Sequence, residues 1–154
     1  YASPLSSTDT LLGVFEVALD GLLLRGVVSA TDSLTATELS YSPPARLLKL
    51  PLTAGAAWST TSTVSGRLNG GPWTQVEKYD STVDKQGEAV TPFARFGVQR
   101  VKTVLTRTVA LVPTVTRSYL FVTECFGTVA TISSTPNESQ SEFSSAAEVR
   151  RLSP

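Results

Sequence analysis

The sequence is a regular succession of short segments in which apolar and polar residues alternate, separated by Gly, Pro, Asn and Asp. Residues 11–19 have apolar side chains at period-2 spacing, and Asp20-Gly21 follows as a two-residue hairpin signal, because both positions tolerate positive φ. Val and Thr are abundant along the chain, and β-branched residues favour strands. These patterns predict an all-β protein of antiparallel pairs with little or no helix.

The strand pattern predicts an antiparallel meander in which three segments are expected to depart from regular strand pairing. Pro43-Pro44 cannot donate backbone hydrogen bonds, so pairing is expected to lapse there. Residues 84–87 are expected to form a turn, and residues 134–145 an exposed loop. Strands are expected at 11–19, 22–30, 34–41, 47–50, 58–66, 72–83, 88–91, 96–111, 117–126, 128–133 and 146–152, with a short helix over 145–150 as the alternative to the last strand. Several of them carry apolar residues on both faces, which predicts a strongly curved sheet, either a half-barrel or a β-sandwich.

The length and charge of the chain limit its organisation and partners. The 154 residues suit a polar N-terminal segment, 1–10, followed by a single β-domain, 11–154. Thirteen basic and thirteen acidic residues cancel, so charge gives no reason to expect binding to nucleic acid or to an anionic membrane surface. The single cysteine, Cys125, cannot form an internal disulfide, and its apolar surroundings in the sequence predict a buried position.

The residue inventory argues against an enzyme. The absence of histidine excludes histidine-based triads and the usual zinc sites, and one cysteine cannot build a metal cluster. A glycan-active enzyme that uses carboxylates remains an alternative, because five acidic residues could in principle supply its catalytic groups. We favour their interpretation as solvated charges: Glu77, Asp80, Asp84, Glu88 and Glu124. Glu124 is expected to pair with a basic residue of the group Arg100, Lys102 and Arg107. We predict no catalytic residue, no cofactor and no metal.

Two groups of side chains are candidates for binding. The basic residues are either a stripe for polyanions or, as we favour, charges on the wet face of a sheet: Arg95, Arg100, Lys102, Arg107, Arg117, Arg150 and Arg151. Aromatic residues in strands usually pack, and Trp58 is expected to fill the core, but they can also stack on ligands. The candidate ligand- or partner-binding residues are Trp58, Trp73, Arg100, Lys102 and Tyr119.

Three segments resemble a group of bacterial secreted proteins and lipoproteins of unknown function. Tyr41-Ser42-Pro43-Pro44, with Leu50-Pro51-Leu52, Gly55 and Trp58, is similar to that group's Y-x-P-P…L-P-L-x-x-G-x-x-W pattern. Residues 90–101 are similar to its V-x-T-P-x-G-x-F…R-V segment, with Ala94 in place of the Gly. Residues 119–132 are similar to its Y-x-F…E-x-x-G-x-V-x-x-I pattern. The resemblance extends over residues 22–152.

The resemblance implies an exported β-domain of the cell envelope, periplasmic, anchored at the outer membrane or extracellular, often behind a lipoprotein signal. The sequence begins without Met, so we expect a targeting segment upstream, and contact with a membrane only through a lipid anchor there. The leading hypothesis is a non-catalytic interaction or structural module with an envelope protein as partner. The alternative is a carrier of an apolar or lipid-like ligand in a concave half-barrel, suggested by strands that are apolar on both faces.

Overall fold

The computed structural model describes residues 1–5 and 10–153. Ten antiparallel strands follow one another in a single, strongly curled sheet, with each strand beside its neighbours in sequence. They are β1 (Ala2–Pro4), β2 (Leu11–Ala18), β3 (Gly21–Ser29), β4 (Glu38–Lys49), β5 (Ala57–Leu68), β6 (Gly71–Val90), β7 (Arg95–Val109), β8 (Val112–Thr123), β9 (Gly127–Ser134) and β10 (Ala146–Arg151). No helix occurs in these residues. The predicted all-β class, an antiparallel meander in a strongly curved sheet, is confirmed.

The first hairpin forms where the sequence predicts it, one residue earlier than expected. Ala18 pairs with Gly21, so Leu19 and Asp20 form the two-residue turn and Gly21 begins β3. Gly21 has φ of 156°, and a Cβ there would lie 2.0 Å from the carbonyl oxygen of Leu48 on β4. Glycine is therefore required less for the turn than for the close approach of β4 to the start of β3.

The Pro43-Pro44 segment interrupts pairing without ending its strand. Leu24 pairs with Ala45 and Gly26 pairs with Ser40, so four residues of β4 face the single β3 residue Arg25. The expected lapse in pairing is confirmed, because the prolines offer no donor to β3. The expected break between strands is wrong, since β4 continues to Lys49.

Strand β6 runs unbroken for 20 residues, so the predicted turn at 84–87 is wrong. Asp84 lies in the strand, and both of its carboxylate oxygens accept hydrogen bonds from Arg100 on the neighbouring strand β7. Cross-strand pairing of this kind overrides a local turn preference. The expected strand at 34–41 is also shortened, because the Ala36 amide donates to the Ser33 carbonyl in a turn before β4 begins.

The chain packs as two compact units. Unit 1 consists of Tyr1–Pro51, Ser59–Tyr79 and Arg107–Pro113, and unit 2 of Leu52–Trp58, Asp80–Thr106 and Thr114–Pro154. Strands β1 to β4 lie wholly in unit 1, and β9 and β10 wholly in unit 2. The buried apolar residues of unit 1 are Leu24, Val27, Leu39, Tyr41, Ala45, Leu48, Val64 and Tyr79. Those of unit 2 are Val83, Phe96, Val98, Val101, Tyr119, Val122 and Val129.

An aromatic cluster lies at one edge of the unit 2 core. Phe96 is buried with Val98 and Val129, and its ring contacts those of Phe93 and Phe126, with centroids 6.2 and 5.2 Å away. Phe93 and Phe126 are themselves more than half exposed. The cluster therefore has one ring that supports the core and two that cover it from the solvent side.

Two positions expected in the core are not buried. Cys125 is exposed, because β8 ends at Thr123 and residues 124–126 form the turn into β9. Trp58 is half-buried rather than a core residue, and it is only the second residue of β5, close to the end of the strand. Within the described part of the chain, no helix has the length and apolarity to cross a membrane.

Candidate functional site

The structure brings three of the five predicted binding residues together in unit 2. Arg100 and Lys102 lie on β7, and Tyr119 lies on the adjacent strand β8. Trp58 is half-buried near the start of β5. Trp73 belongs to unit 1, where its indole Nε1 donates a hydrogen bond to Gln75 Oε1. We define the binding face as Arg100, Lys102 and Tyr119 together with Asp84 and Lys85 of β6.

Arg100 is held between two carboxylates. Its Nε and Nη2 atoms donate to the two carboxylate oxygens of Asp84 at 2.9 and 2.6 Å. Its Nη1 and Nη2 atoms donate to the two oxygens of Glu142 at 3.1 and 2.6 Å. These hydrogen bonds raise the pKa of Arg100 further above its ordinary value. The guanidinium is therefore a permanent, fixed cation with a two-pronged contact on each side.

Tyr119 provides an aromatic surface beside that cation. The guanidinium carbon of Arg100 lies 4.2 Å from the centroid of the Tyr119 ring, which is a cation–π contact. The ring of Phe143 stacks on Tyr119 with a centroid distance of 5.6 Å and an interplanar angle of 30°. The Tyr119 hydroxyl donates to the backbone carbonyl oxygen of Ser141. Tyr119 thus contacts a cation, a second ring and a peptide carbonyl at once.

The residues that contact Arg100 and Tyr119 from outside the sheet belong to the β9–β10 loop, residues 135–145. Most of this loop is exposed, as predicted, but it is attached to the sheet. Asn137 and Val115 exchange two hydrogen bonds of 2.7 and 2.9 Å, and Arg117 Nε donates to the Glu138 carbonyl at 3.0 Å. Ser141 Oγ accepts from the Lys102 ammonium. The loop is therefore attached to β8 through Asn137 and Glu138, and it contacts the binding face through Ser141, Glu142 and Phe143.

Glu142 is the acidic residue that the loop contributes. Its carboxylate contacts Arg100 and also Lys85 Nζ, the latter at 3.2 Å, while 58% of its side chain stays exposed. The hydrogen bond from Arg100, followed by that from Lys85, lowers the pKa of Glu142 from 4.5 to about 2. The carboxylate is therefore charged over the neutral range, and it is held by two cations of the sheet.

Neither Arg100 nor Asp84 of the binding face is free to transfer a proton. Arg100 remains protonated and cannot accept a proton, and the Asp84 carboxylate is occupied by it. A fixed guanidinium beside an aromatic ring is suited to a ligand that carries a carboxylate and a ring. Within residues 1–5 and 10–153, no group of three or more acidic or cysteine side chains is placed to hold a metal ion.

A second polar cluster, in unit 1, surrounds the buried carboxylate of Glu77. Oε1 accepts hydrogen bonds from Gln75 Nε2 and Arg107 Nε, both at 2.7 Å. Oε2 accepts from the hydroxyls of Tyr41 at 2.9 Å and Tyr79 at 2.6 Å. All five residues belong to unit 1. Each carboxylate oxygen thus has two donors, which is the arrangement that a buried charge requires.

The electrostatics of this cluster keep its donors protonated. Burial, with the Glu77 charge second, raises the pKa of Tyr41, and burial also raises that of Tyr79. Burial alone would lower the pKa of Arg107, but the Glu77 carboxylate outweighs it and the pKa is raised. Both hydroxyls and the guanidinium therefore remain donors to Glu77, so the network keeps the buried carboxylate fully hydrogen-bonded.

Several predictions about charges are corrected by these contacts. Glu77 is fully buried, so its interpretation as a solvated charge is wrong. The sequence did contain a signal, since Gln75, Glu77 and Tyr79 alternate with exposed residues on one face of β6. Arg107 pairs with Glu77 and Arg100 with Asp84 and Glu142, whereas Glu124 is exposed in the β8–β9 turn. The predicted pairing of Glu124 with these arginines is wrong, because β8 ends before it.

A cavity of about 450 Å³ in unit 1 is mainly polar. It is lined by Thr10, Leu11, Ser29, Ala30, Thr31, Ser33, Thr35 and Asn69. Sites for apolar ligands are lined mostly by apolar and aromatic side chains. This cavity therefore gives no support to the alternative of an apolar-ligand carrier.

No protein-family model, no curated protein and no solved structure matches the chain. The resemblance to bacterial secreted proteins and lipoproteins consequently stays a prediction based on its three motifs.

Proposed function

We propose that this protein is a non-catalytic interaction domain of the bacterial cell envelope that binds its partner through Arg100 and Tyr119. The observation that carries the proposal is the binding face itself, in which a fixed guanidinium lies 4.2 Å from an aromatic ring. Arginine and tyrosine are the residue types most often responsible for binding energy at protein interfaces. On this face they are fixed by the strands β6 to β8.

The contacts of the acidic residues support binding rather than catalysis. Both oxygens of Glu77 have two donors each, Asp84 is occupied by Arg100, and Glu88 pairs with Arg95 at 2.8 Å. Glycoside hydrolysis needs two carboxyl groups, one of them free to protonate the leaving group. Three of the five candidate acids are therefore engaged in other interactions.

The placement in the envelope is supported by the sequence resemblance, and the cysteine content is compatible with it. A chain with one cysteine has no internal disulfide that an oxidising or reducing compartment would change. We expect the full-length protein in the periplasm, at the outer membrane or outside the cell, with a lipid anchor upstream. Cell fractionation tests this placement: recovery of unprocessed full-length protein from the cytosol would contradict it.

Binding can be tested with immobilised protein and detergent-solubilised envelope proteins of the native cell, fractionated and measured by biolayer interferometry. Arg100→Gln is expected to weaken binding of the recognised fraction by roughly tenfold or more, since a buried interfacial charge pair is lost. Arg100→Lys is expected to weaken it as well, because lysine keeps the charge but not the two-pronged geometry. Arg95→Gln, on the same strand but 72% exposed, is the matched control and should bind like the wild type.

Two results would contradict the proposal. One is the absence of any envelope fraction whose binding depends on Arg100, while the melting temperature of Arg100→Gln shows that this variant is folded. The other is turnover on a panel of glycans and esters that a single carboxylate substitution abolishes.

A further inference from the structure

We infer that the β9–β10 loop occupies the binding face as an internal substitute for the partner, which presents an acidic residue followed directly by an aromatic one. The inference rests on the proposed function, and it specifies the chemistry of the ligand and the regulation of its site. The loop residues concerned are Ser141, Glu142 and Phe143.

Each of these three consecutive residues contacts a different group of the face. Ser141 offers its carbonyl oxygen to the Tyr119 hydroxyl and its Oγ to Lys102. Glu142 places its carboxylate on Arg100, and Phe143 stacks its ring on Tyr119. A carbonyl, a carboxylate and a ring are thus contacted in chain order, as the successive groups of an extended peptide are when it binds to a protein surface.

The binding face remains organised by residues of the sheet. Asp84 belongs to β6, has 23% of its side chain exposed and binds the Nε and Nη2 edge of Arg100. Tyr119 belongs to β8 and is buried. Asp84 therefore holds the guanidinium without help from the loop, whereas Tyr119 keeps its contact with Arg100 and would lose those with Ser141 and Phe143. A carboxylate from another protein would meet the same Asp84-bound guanidinium that Glu142 meets.

The contacts that Glu142 makes with Arg100 and Lys85 are those that an external carboxylate could replace. Its side chain is more than half exposed, so water can replace its hydrogen bonds when the loop leaves the face. Yet the loop competes with any external ligand at the effective concentration of a tethered segment, which is in the millimolar range for a short flexible connection. An external segment with the same chemistry should therefore bind weakly to the wild type and more tightly once the loop contacts are removed.

The test is a peptide titration. The probe is a fluorescein-labelled peptide with the sequence Gln-Ser-Glu-Phe-Ser, corresponding to residues 140–144, and binding is measured by fluorescence polarisation. The double variant Glu142→Ala, Phe143→Ala is expected to bind it roughly tenfold or more tightly than the wild type. Replacing the peptide's glutamate by glutamine, or introducing Arg100→Gln into the double variant, should weaken binding by roughly tenfold or more. Glu138→Gln changes an acid of the same loop and should bind like the wild type.

Other results overturn the inference. If the double variant has a wild-type melting temperature and binds the peptide no better than the wild type, the loop is not a substitute for the partner. If the double variant does not fold, Glu142→Gln replaces it in the same titration, under the same criterion. If the wild type forms a dimer by light scattering that Glu142→Gln abolishes, the occupant is the loop of a second copy, and the inference of a different partner is wrong. In each of these cases, Arg100-dependent binding of an envelope fraction would leave the proposed function standing. If no such binding is found, both the proposed function and this inference are wrong.

Discussion

The guanidinium of Arg107 donates a hydrogen bond to the carboxylate of Glu77 at 2.7 Å, although 47% of the arginine side chain is exposed and only 1% of the glutamate. The cation at the edge of unit 1 thus compensates an anion that has no access to water. The other three donors to Glu77, from Gln75, Tyr41 and Tyr79, are neutral groups. The two members of the pair should therefore respond differently to removal of their partner.

Arg107→Gln is expected to lower the free energy of unfolding by about 3 kcal/mol, because it leaves a buried carboxylate without its cation. Glu77→Gln should cost less, because the remaining guanidinium is half exposed and can reach water. The double variant should cost less than the sum of the two. Urea denaturation of the three variants measures these values, and Glu88→Gln, in an exposed pair with Arg95, serves as a control that changes stability by less than about 1 kcal/mol. The account would be contradicted if the two single changes lowered the free energy of unfolding equally and the double variant lowered it by their sum.

The aromatic cluster of unit 2 gives a second contrast. Phe96→Ala should reduce stability by about 3 to 5 kcal/mol, because Phe96 is buried against Val98 and Val129. Phe126→Ala should cost only about 1 kcal/mol, because the ring is 56% exposed and loses mainly its edge contacts with Phe93 and Phe96. Denaturant midpoints of the two variants measure this difference. Similar midpoints would mean that Phe126 is covered, for instance by association of the protein with itself.

The sequence predicts the fold class because alternation and turn residues are local signals. The hairpin after β2 and the lapse of pairing at Pro43-Pro44 follow from the residues themselves. The conformation of residues 84–87 cannot be predicted in this way. Their residue types are typical of a turn, but Asp84 is kept in β6 by its hydrogen bonds with Arg100 on another strand. Such a partner is distant in sequence, so no local pattern indicates it.

The same distinction explains how much of the binding face could be predicted. The residue types of Arg100, Lys102 and Tyr119 indicate binding candidates, and the three residues converge because β7 and β8 are neighbours in a meander. Glu142 and Phe143 lie in a polar stretch that predicts only an exposed loop. Their position depends on Arg100 and Tyr119, which are more than twenty residues away in sequence. Recognising them required the tertiary structure.

The backbone of β5 sets a third prediction. Gly66 has φ of 145°, and a Cβ at this position would lie 2.1 Å from the carbonyl oxygen of Glu38 on β4. Gly66→Ala should therefore reduce stability by more than about 1 kcal/mol, because β4 and β5 must separate locally. Gly87→Ala is the matched control, since a Cβ there meets no atom within 4 Å, and it should change stability by less than about 0.5 kcal/mol. Thermal unfolding followed by circular dichroism distinguishes the two, and a harmless Gly66→Ala would show that the strands are farther apart.

The attachment of the β9–β10 loop should depend on pH through Glu142. The groups that face its carboxylate are Arg100 and Lys85, with Lys102, Asp84 and Tyr119 around them. Arg100 and Lys85 lower the pKa of Glu142 from 4.5 to about 2. A depressed pKa means that the released loop binds a proton more readily than the attached one. The contribution of Glu142 to attachment is therefore complete above pH 4.5 and is lost as the pH falls towards about 2.

The measurement is the ¹⁹F NMR signal of 4-fluorophenylalanine incorporated at Phe143, whose ring leaves Tyr119 when the loop is released. The signal should stay constant down to about pH 4.5 and then move to that of an exposed ring as the pH approaches about 2. Glu142→Gln is the control, because glutamine cannot be protonated in this range and its signal should not show the same transition. A wild-type transition centred near pH 4.5, the value of a carboxyl without a cationic partner, would mean that Arg100 does not hold Glu142 in solution. In that case the ion pair with Arg100 would not contribute to attachment of the loop, and Glu142→Gln alone would not change the affinity for the peptide.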